Sequence, residues 1–198
     1  MGFAIFLLPN NSLNQEIIRW KNLVKKKYIN STFNNHPPHA TIIYTELKDE
    51  IEAIKKIKKS TNQIVPFEIT INHKSVFWND KMTGGHTLYF GVKKNAHLLS
   101  FQKKIAEIIR PFKLNTSVPD YINKNKVLYE SYKKYGFPFI GSHWLPHFTV
   151  ASLMTNNDDI FIKNFISEIF AETLVVDEFS IWEVEGDVHT KIETISLI

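Results

Sequence analysis

Pro38-His39-Ala40-Thr41-Ile42-Ile43-Tyr44 returns 108 residues later as Pro146-His147-Phe148-Thr149-Val150-Ala151-Ser152. Each stretch places an imidazole and a hydroxyl two residues apart directly after a proline. The apolar, partly β-branched residues that follow favour an extended chain. On a strand, residues two apart share a face, so each stretch offers a paired acid–base group and hydrogen-bond donor to one side. Tyr44 is expected on the face opposite Thr41 if the strand is regular. His73-Lys74-Ser75 resembles the motif but has no counterpart in the other half, and is assigned to the surface.

Working outward, the apolar run Gly2–Leu8 ends at Pro9 and reads as a buried strand. Ser12-Leu13-Asn14-Gln15 has capping-box spacing, and Leu13, Ile17, Trp20 and Val24 recur at helical spacing, predicting a helix over about 13–28. Ile51, Ile54 and Ile57 mark a second, lysine-rich helix, and 66–78 reads as one long bent strand. Gly84-Gly85 makes a turn into a strand at His86–Val92, and Leu98, Phe101, Ile105 and Ile108 predict a helix ending near Pro111. After the second motif strand come a helix over 158–171 with Phe161, Phe165 and Ile169 on one face, and closing strands at 174–184 and 190–198. Each half therefore reads as strand, helix, strand, helix, strand, strand.

Asn10 and Asn95, before the first helix of each half, are 85 apart, whereas the two histidines are 108 apart. The 23 additional residues locate an insertion near 112–140, a stretch mixing lysines with Tyr121, Tyr129, Tyr132, Tyr135 and Phe137. Long connections inside compact domains often act as covers or binding loops. The pattern predicts a single α+β domain over 1–198. Two pseudo-symmetric lobes, each a mainly antiparallel sheet with helices on its outer face, flank a central cleft carrying both motifs.

The 198 residues are 43% hydrophobic and 22% charged, ordinary for a folded soluble chain, with a net charge of +4 spread over several lysine-bearing helices. That excess suits an anionic ligand as well as a plain solvated surface. There is no cysteine, which removes disulfides, thiolate metal sites and cysteine nucleophiles from consideration. The first apolar run lacks a basic start and is far too short to span a bilayer, so the expectation is a cytoplasmic protein with no membrane contact and no obligatory protein partner.

The two Pro-His-x-Thr stretches, one per half and each on the equivalent strand, resemble the 2H phosphoesterase superfamily, which includes RNA 2′,3′-cyclic phosphodiesterases once described as 2′-5′ RNA ligases. The resemblance spans nearly the whole chain and implies a catalytic tetrad of His39, Thr41, His147 and Thr149. The lysine- and tyrosine-rich 112–140 segment looks longer than in the smallest members of that family.

Physically the implied chemistry is coherent. Hydrolysis of a phosphodiester takes one proton from water and gives one to the departing oxygen, and two imidazoles of unperturbed pKa about 6.5 can divide that work. The threonine hydroxyls can bond non-bridging oxygens as their charge grows. The expected partner is a nucleotide or oligonucleotide containing a phosphodiester. A non-catalytic RNA-binding protein using the same cleft, or an RNA-end ligase, would use the same residues. His36 and His143 are candidates to orient phosphate, and Trp144 and Trp78 to stack on a base. No cofactor is expected. A metal cluster of His36, His39, His143 and His147 is disfavoured, because no carboxylate joins it and Pro146 interrupts the His143–His147 spacing.

Overall fold

Asn10 and Asn95 do open equivalent helices. The Oδ1 of each accepts the N–H three residues on, Leu13 at 3.0 Å and Leu98 at 2.8 Å, satisfying one of the donors a helix start leaves free. The computed structural model, which describes residues 1–198, thus replaces the Ser12 capping box with an asparagine cap. Helix α1 runs Asn11–Lys27, after strand β1 (Gly2–Leu7). Its buried stripe of Leu13, Ile17, Trp20, Lys21 and Val24 follows the predicted spacing.

The chain continues through β2 (Ser31–Thr32), β3 (Ala40–Thr45), α2 (Glu50–Thr61), the bent strand β4 (Phe67–Phe77), β5 (His86–Lys93) and α3 (Ala96–Ile109). Residues 112–140 carry α4 (Asp120–Asn123) and α5 (Lys126–Tyr135). Then come β6 (His147–Leu153), α6 (Ile160–Ser167), β7 (Glu172–Val176), β8 (Glu178–Glu185) and β9 (Val188–Ser196). Two expectations are corrected. Helix α6 stops at Ser167, leaving Ile169 almost fully exposed, and the stretch 174–184 is two strands broken at Asp177.

All strands join one antiparallel sheet in the order β7-β4-β5-β6-β3-β1-β8-β9, with the short β2 also pairing β6. The order is symmetric about the β6–β3 seam. Reading outward, β6, β5, β4 and β7 on one side match β3, β1, β8 and β9 on the other. The strand that closes the first half, β4, pairs with β5 of the second, and β8 of the second half pairs with β1 of the first. The halves have exchanged closing strands. Sequence spacing cannot show this, because an amphipathic strand reads the same whichever neighbour it joins.

The two sheet faces differ in cover. Phe3, Ile5 and Leu7 of β1, with Leu88 and Phe90 of β5, belong to the large core shared with the buried stripes of the helices. The alternating residues Ala4 and Phe6 lie on the opposite, open face, where they form a separate small cluster with Trp182. That face carries the candidate site.

Each half also bears one β-bulge at the same point. Between β1 and β3 the register passes from Phe6↔Thr41 to Ile5↔Ile43, leaving Ile42 extra. Between β5 and β6 it passes from Tyr89↔Thr149 to Leu88↔Ala151, leaving Val150 extra. Ile42 and Val150 each follow a motif threonine. A bulge shifts the face alternation by one, so Tyr44, paired with Ala4, lies on the open face with Thr41. The expectation that Tyr44 points away from Thr41 is overturned.

Candidate active site

The two motif strands meet at one pair, Ala40↔Phe148. Continuing that antiparallel register sets His39 across from Thr149 and Thr41 across from His147, which places all four beside the seam of the pseudo-twofold. Their faces agree. Thr41 pairs with Phe6, His147 with Gly91 and Thr149 with Tyr89, all open-face positions, and His39 stacks on Phe6 with ring centroids 3.8 Å apart.

The rings are held alike. His39 Nδ1 lies 2.7 Å from the Pro37 carbonyl oxygen and His147 Nδ1 lies 2.6 Å from that of Leu145. A carbonyl only accepts, so Nδ1 of each ring carries the proton and Nε2 is left for a ligand. Beyond that bond the surroundings differ. His39 is covered by Phe6, and the His189 ring lies 5.5 Å away. His147 meets Phe77 and Tyr89 nearly edge-on, at 5.0 and 5.2 Å.

Electrostatics follow from this packing. Burial drives the His39 pKa down to about 3 against the Pro37 carbonyl bond that favours the charged ring, with His189, His36 and Lys21 adding repulsion. Burial also lowers the His147 pKa, opposed by the Leu145 carbonyl and the Asp80 carboxylate. Both rings are therefore biased toward the neutral form.

The remaining candidates separate. His36 lies near His39: its ring is 4.3 Å from His189 and its Nε2 is 3.0 Å from Asp187 Oδ1. His143 sits exposed on the turn Gly141–His143. Trp144 is 3% exposed and packed in the main core, so it offers no ring face to a base. Trp78, at the end of β4, turns toward His86, whose ring is 5.0 Å away. Its neighbour Phe77 is the one that faces His147. His73 is exposed as expected, yet it pairs with Gly91 and lies 6.2 Å from Tyr89, on the same open face as the second motif.

Phe6, Phe77, Tyr89 and His189 were not legible as site residues. Phe6 sits in a run buried on both sides, where no alternation separates the faces. Tyr89 alone gave a signal, as a hydroxyl-bearing ring between the apolar Leu88 and Phe90.

Comparison with known proteins agrees with this architecture. The chain superimposes on TT0787 of Thermus thermophilus with a TM-score of 0.68 at 13% identity, covering 100% of this chain and 98% of that one. Escherichia coli LigT, solved with 3′-AMP, aligns at 0.54 and 12% identity, covering 99% and 97%. Kluyveromyces marxianus Usb1, solved with uridine monophosphate, aligns at 0.52 and 12%, covering 99% and 98%. No curated protein sequence matches the chain. No helix is long and apolar enough to cross a membrane. The family model described as the 2′-5′ RNA ligase superfamily matches residues 9–188, and with nine-tenths of its length so matched the chain belongs to that superfamily of phosphoesterases and RNA-ligase-like enzymes.

Proposed function

We propose that the protein hydrolyses a phosphodiester of a nucleotide or oligonucleotide, with a cyclic phosphate as the favoured target, through His39 and His147 and without a metal. The observation that carries the reading is the meeting of both motif strands at Ala40↔Phe148, with Thr41, His147 and Thr149 on open-face positions and His39 stacked over that face. One neutral imidazole takes a proton from water at Nε2 as the water oxygen attacks phosphorus. The other imidazole, protonated, gives its Nε2 proton to the departing oxygen, leaving a phosphomonoester and a free hydroxyl. Thr41 and Thr149 donate hydrogen bonds to the non-bridging oxygens.

Each carbonyl at Nδ1 fixes the ring orientation and stabilises the imidazolium when it forms, a role that needs no carboxylate. The nucleotides present in the LigT and Usb1 structures support a nucleotide ligand. The insertion is proposed to cover one end of the cleft. Asp80, on the β4–β5 turn, acts electrostatically on both His147 and Tyr121, and Tyr132 acts on both Tyr121 and Tyr44.

The test is a panel of 2′,3′-cyclic, 3′,5′-cyclic, 2′-5′-linked and cyclic-dinucleotide substrates assayed with chelator present. Turnover of at least one substrate, lost in His39→Ala and in His147→Ala, is expected. Activity that survives both substitutions, or that appears only when a divalent ion is restored, overturns the proposal.

A further inference from the structure

The two motif histidines are approached by matching turns. Phe33 adopts φ +64° and Gly141 φ +72°, each six residues before its motif histidine. The carbonyl of each accepts the N–H three residues on, from His36 at 3.2 Å and Trp144 at 3.1 Å. After each motif comes the bulge residue, Ile42 or Val150. Four features thus repeat with the 108-residue offset of the motifs: the left-handed turn, the carbonyl under Nδ1, the His-x-Thr pair and the bulge.

Two buried polar side chains reach these repeated features from the helical layer. Lys21 of α1 donates from Nζ to the Phe33 carbonyl at 2.7 Å and to the Val150 carbonyl at 2.6 Å. Gln102 of α3, wholly buried, donates from Nε2 to the Ile42 carbonyl at 3.1 Å and the Phe139 carbonyl at 2.8 Å, and its Oε1 accepts the Gly141 N–H at 2.9 Å. The pattern is crossed. Lys21 joins the turn leading into the first motif to the bulge that follows the second, and Gln102 joins the bulge that follows the first to the turn leading into the second.

We propose that Lys21 and Gln102 are positioning residues that fix the two motif histidines relative to each other, each by tying the strand of one motif to the entry turn of the other. Sheet pairing alone is thin here, since the motif strands share the single pair Ala40↔Phe148. Two of the bonded carbonyls, those of Ile42 and Val150, belong to bulge residues that the strand register leaves unpaired. Phe33 is also a bulky residue in a left-handed conformation, which persists only when its surroundings hold it. Gln102 carries no charge and bonds only backbone groups, so its effect on chemistry travels through the backbone, whereas Lys21 adds to its two carbonyl bonds a repulsion that disfavours a protonated His39. The expected kinetic consequence rests on the function proposed above; the expected structural consequence does not.

The experiment compares Gln102→Leu and Lys21→Met with Leu98→Ala, a core truncation on α3 that breaks no bond to either motif. Three quantities are measured on the full chain: unfolding midpoint, NMR signals of the His39 and His147 rings, and kcat and KM on the preferred cyclic nucleotide. Both ring signals are expected to move in Gln102→Leu, and kcat is expected to fall tenfold or more with KM within about threefold, as for a misplaced catalytic group. Leu98→Ala should lower the midpoint without either change. Should Gln102→Leu fail to fold, Lys21→Met reports the same coupling from the other helix. Ring signals and kcat that match Leu98→Ala overturn the positioning role. A wild-type protein without turnover overturns the function instead, and the ring signals then decide the positioning role alone.

Discussion

Phe6 lies flat on His39, with the ring centroids 3.8 Å apart and the planes 20° from parallel, whereas the matching ring of the other lobe, Tyr89, meets His147 at 61° and 5.2 Å. A stacked ring restrains the imidazole plane. Phe6→Leu is expected to lower kcat about tenfold or more through loss of ring orientation, while costing about 1–2 kcal/mol of stability. Steady-state kinetics beside a denaturant titration check this, and an unchanged kcat makes Phe6 a packing residue only.

The tetrad itself should behave as one unit. His39→Ala and His147→Ala are each expected to reduce kcat by about 10²–10⁴ with ligand affinity largely retained, and the double variant should be scarcely slower than the worse single one. Thr41→Val and Thr149→Val should each cost about 100-fold. Kinetics and calorimetric binding on the same variants separate rate from affinity. Large losses of affinity with little loss of rate would favour the binding-protein reading.

Both imidazoles titrate below their ordinary value of 6.5 in the free protein, which sets the sign of the pH dependence. The general acid must be protonated, and its protonated share falls as pH rises past a depressed pKa. The kcat/KM profile, which reports the free enzyme, is therefore expected to peak below pH 6.5 and decline through neutrality. A bound phosphodiester anion favours the imidazolium, so the kcat profile should lie at higher pH than the kcat/KM profile. Coincident profiles with a maximum above pH 7 contradict this.

Burial, with a smaller contribution from Lys25, drives the Lys21 amine from 10.5 down to about 7. Between these values the unfolded chain holds the proton that the folded chain has released, so stability rises with pH across that window. Below pH 7 the cost of burying this lysine is present in full. The stability of Lys21→Met relative to wild type should thus be most favourable near pH 6 and shift against the variant as pH approaches 10. A stability difference that stays flat from pH 6 to 10 shows that the amine keeps its ordinary affinity for a proton.

Gly136 ends α5 with φ +71°, and a Cβ there would run into the Thr45 hydroxyl of β3. Gly136→Ala is expected to cost roughly 1–3 kcal/mol and to loosen the insertion where it joins β3. Denaturant unfolding gives the first quantity, and protease susceptibility across 112–140 gives the second.

The two helix-opening asparagines and the two motif strands could be read from spacing, because the 85- and 108-residue offsets mark matching elements without knowledge of their neighbours. Partnership could not. The face of Tyr44 depends on the bulge at Ile42, which arises from how β1 and β3 pair. The nearness of His189 to His39 follows from β9 lying against β8, beside β1, and a lone histidine on a closing strand carries no such signal. Trp144 beside a motif suggested a stacking surface, but tertiary packing turned it into the core.

The exchanged closing strands limit how the molecule can move. A hinge between the lobes would have to carry β4 with β5 and β8 with β1, although α2 leads from β3 across the seam into β4 and the link at Asp177 leads from β7 across it into β8. Wide clamshell opening is thereby resisted, and ligand entry falls to the surface segments around the cleft. The same threading leaves no severable half: melting one side of the sheet strips partners from the other, so the chain should unfold in a single cooperative step.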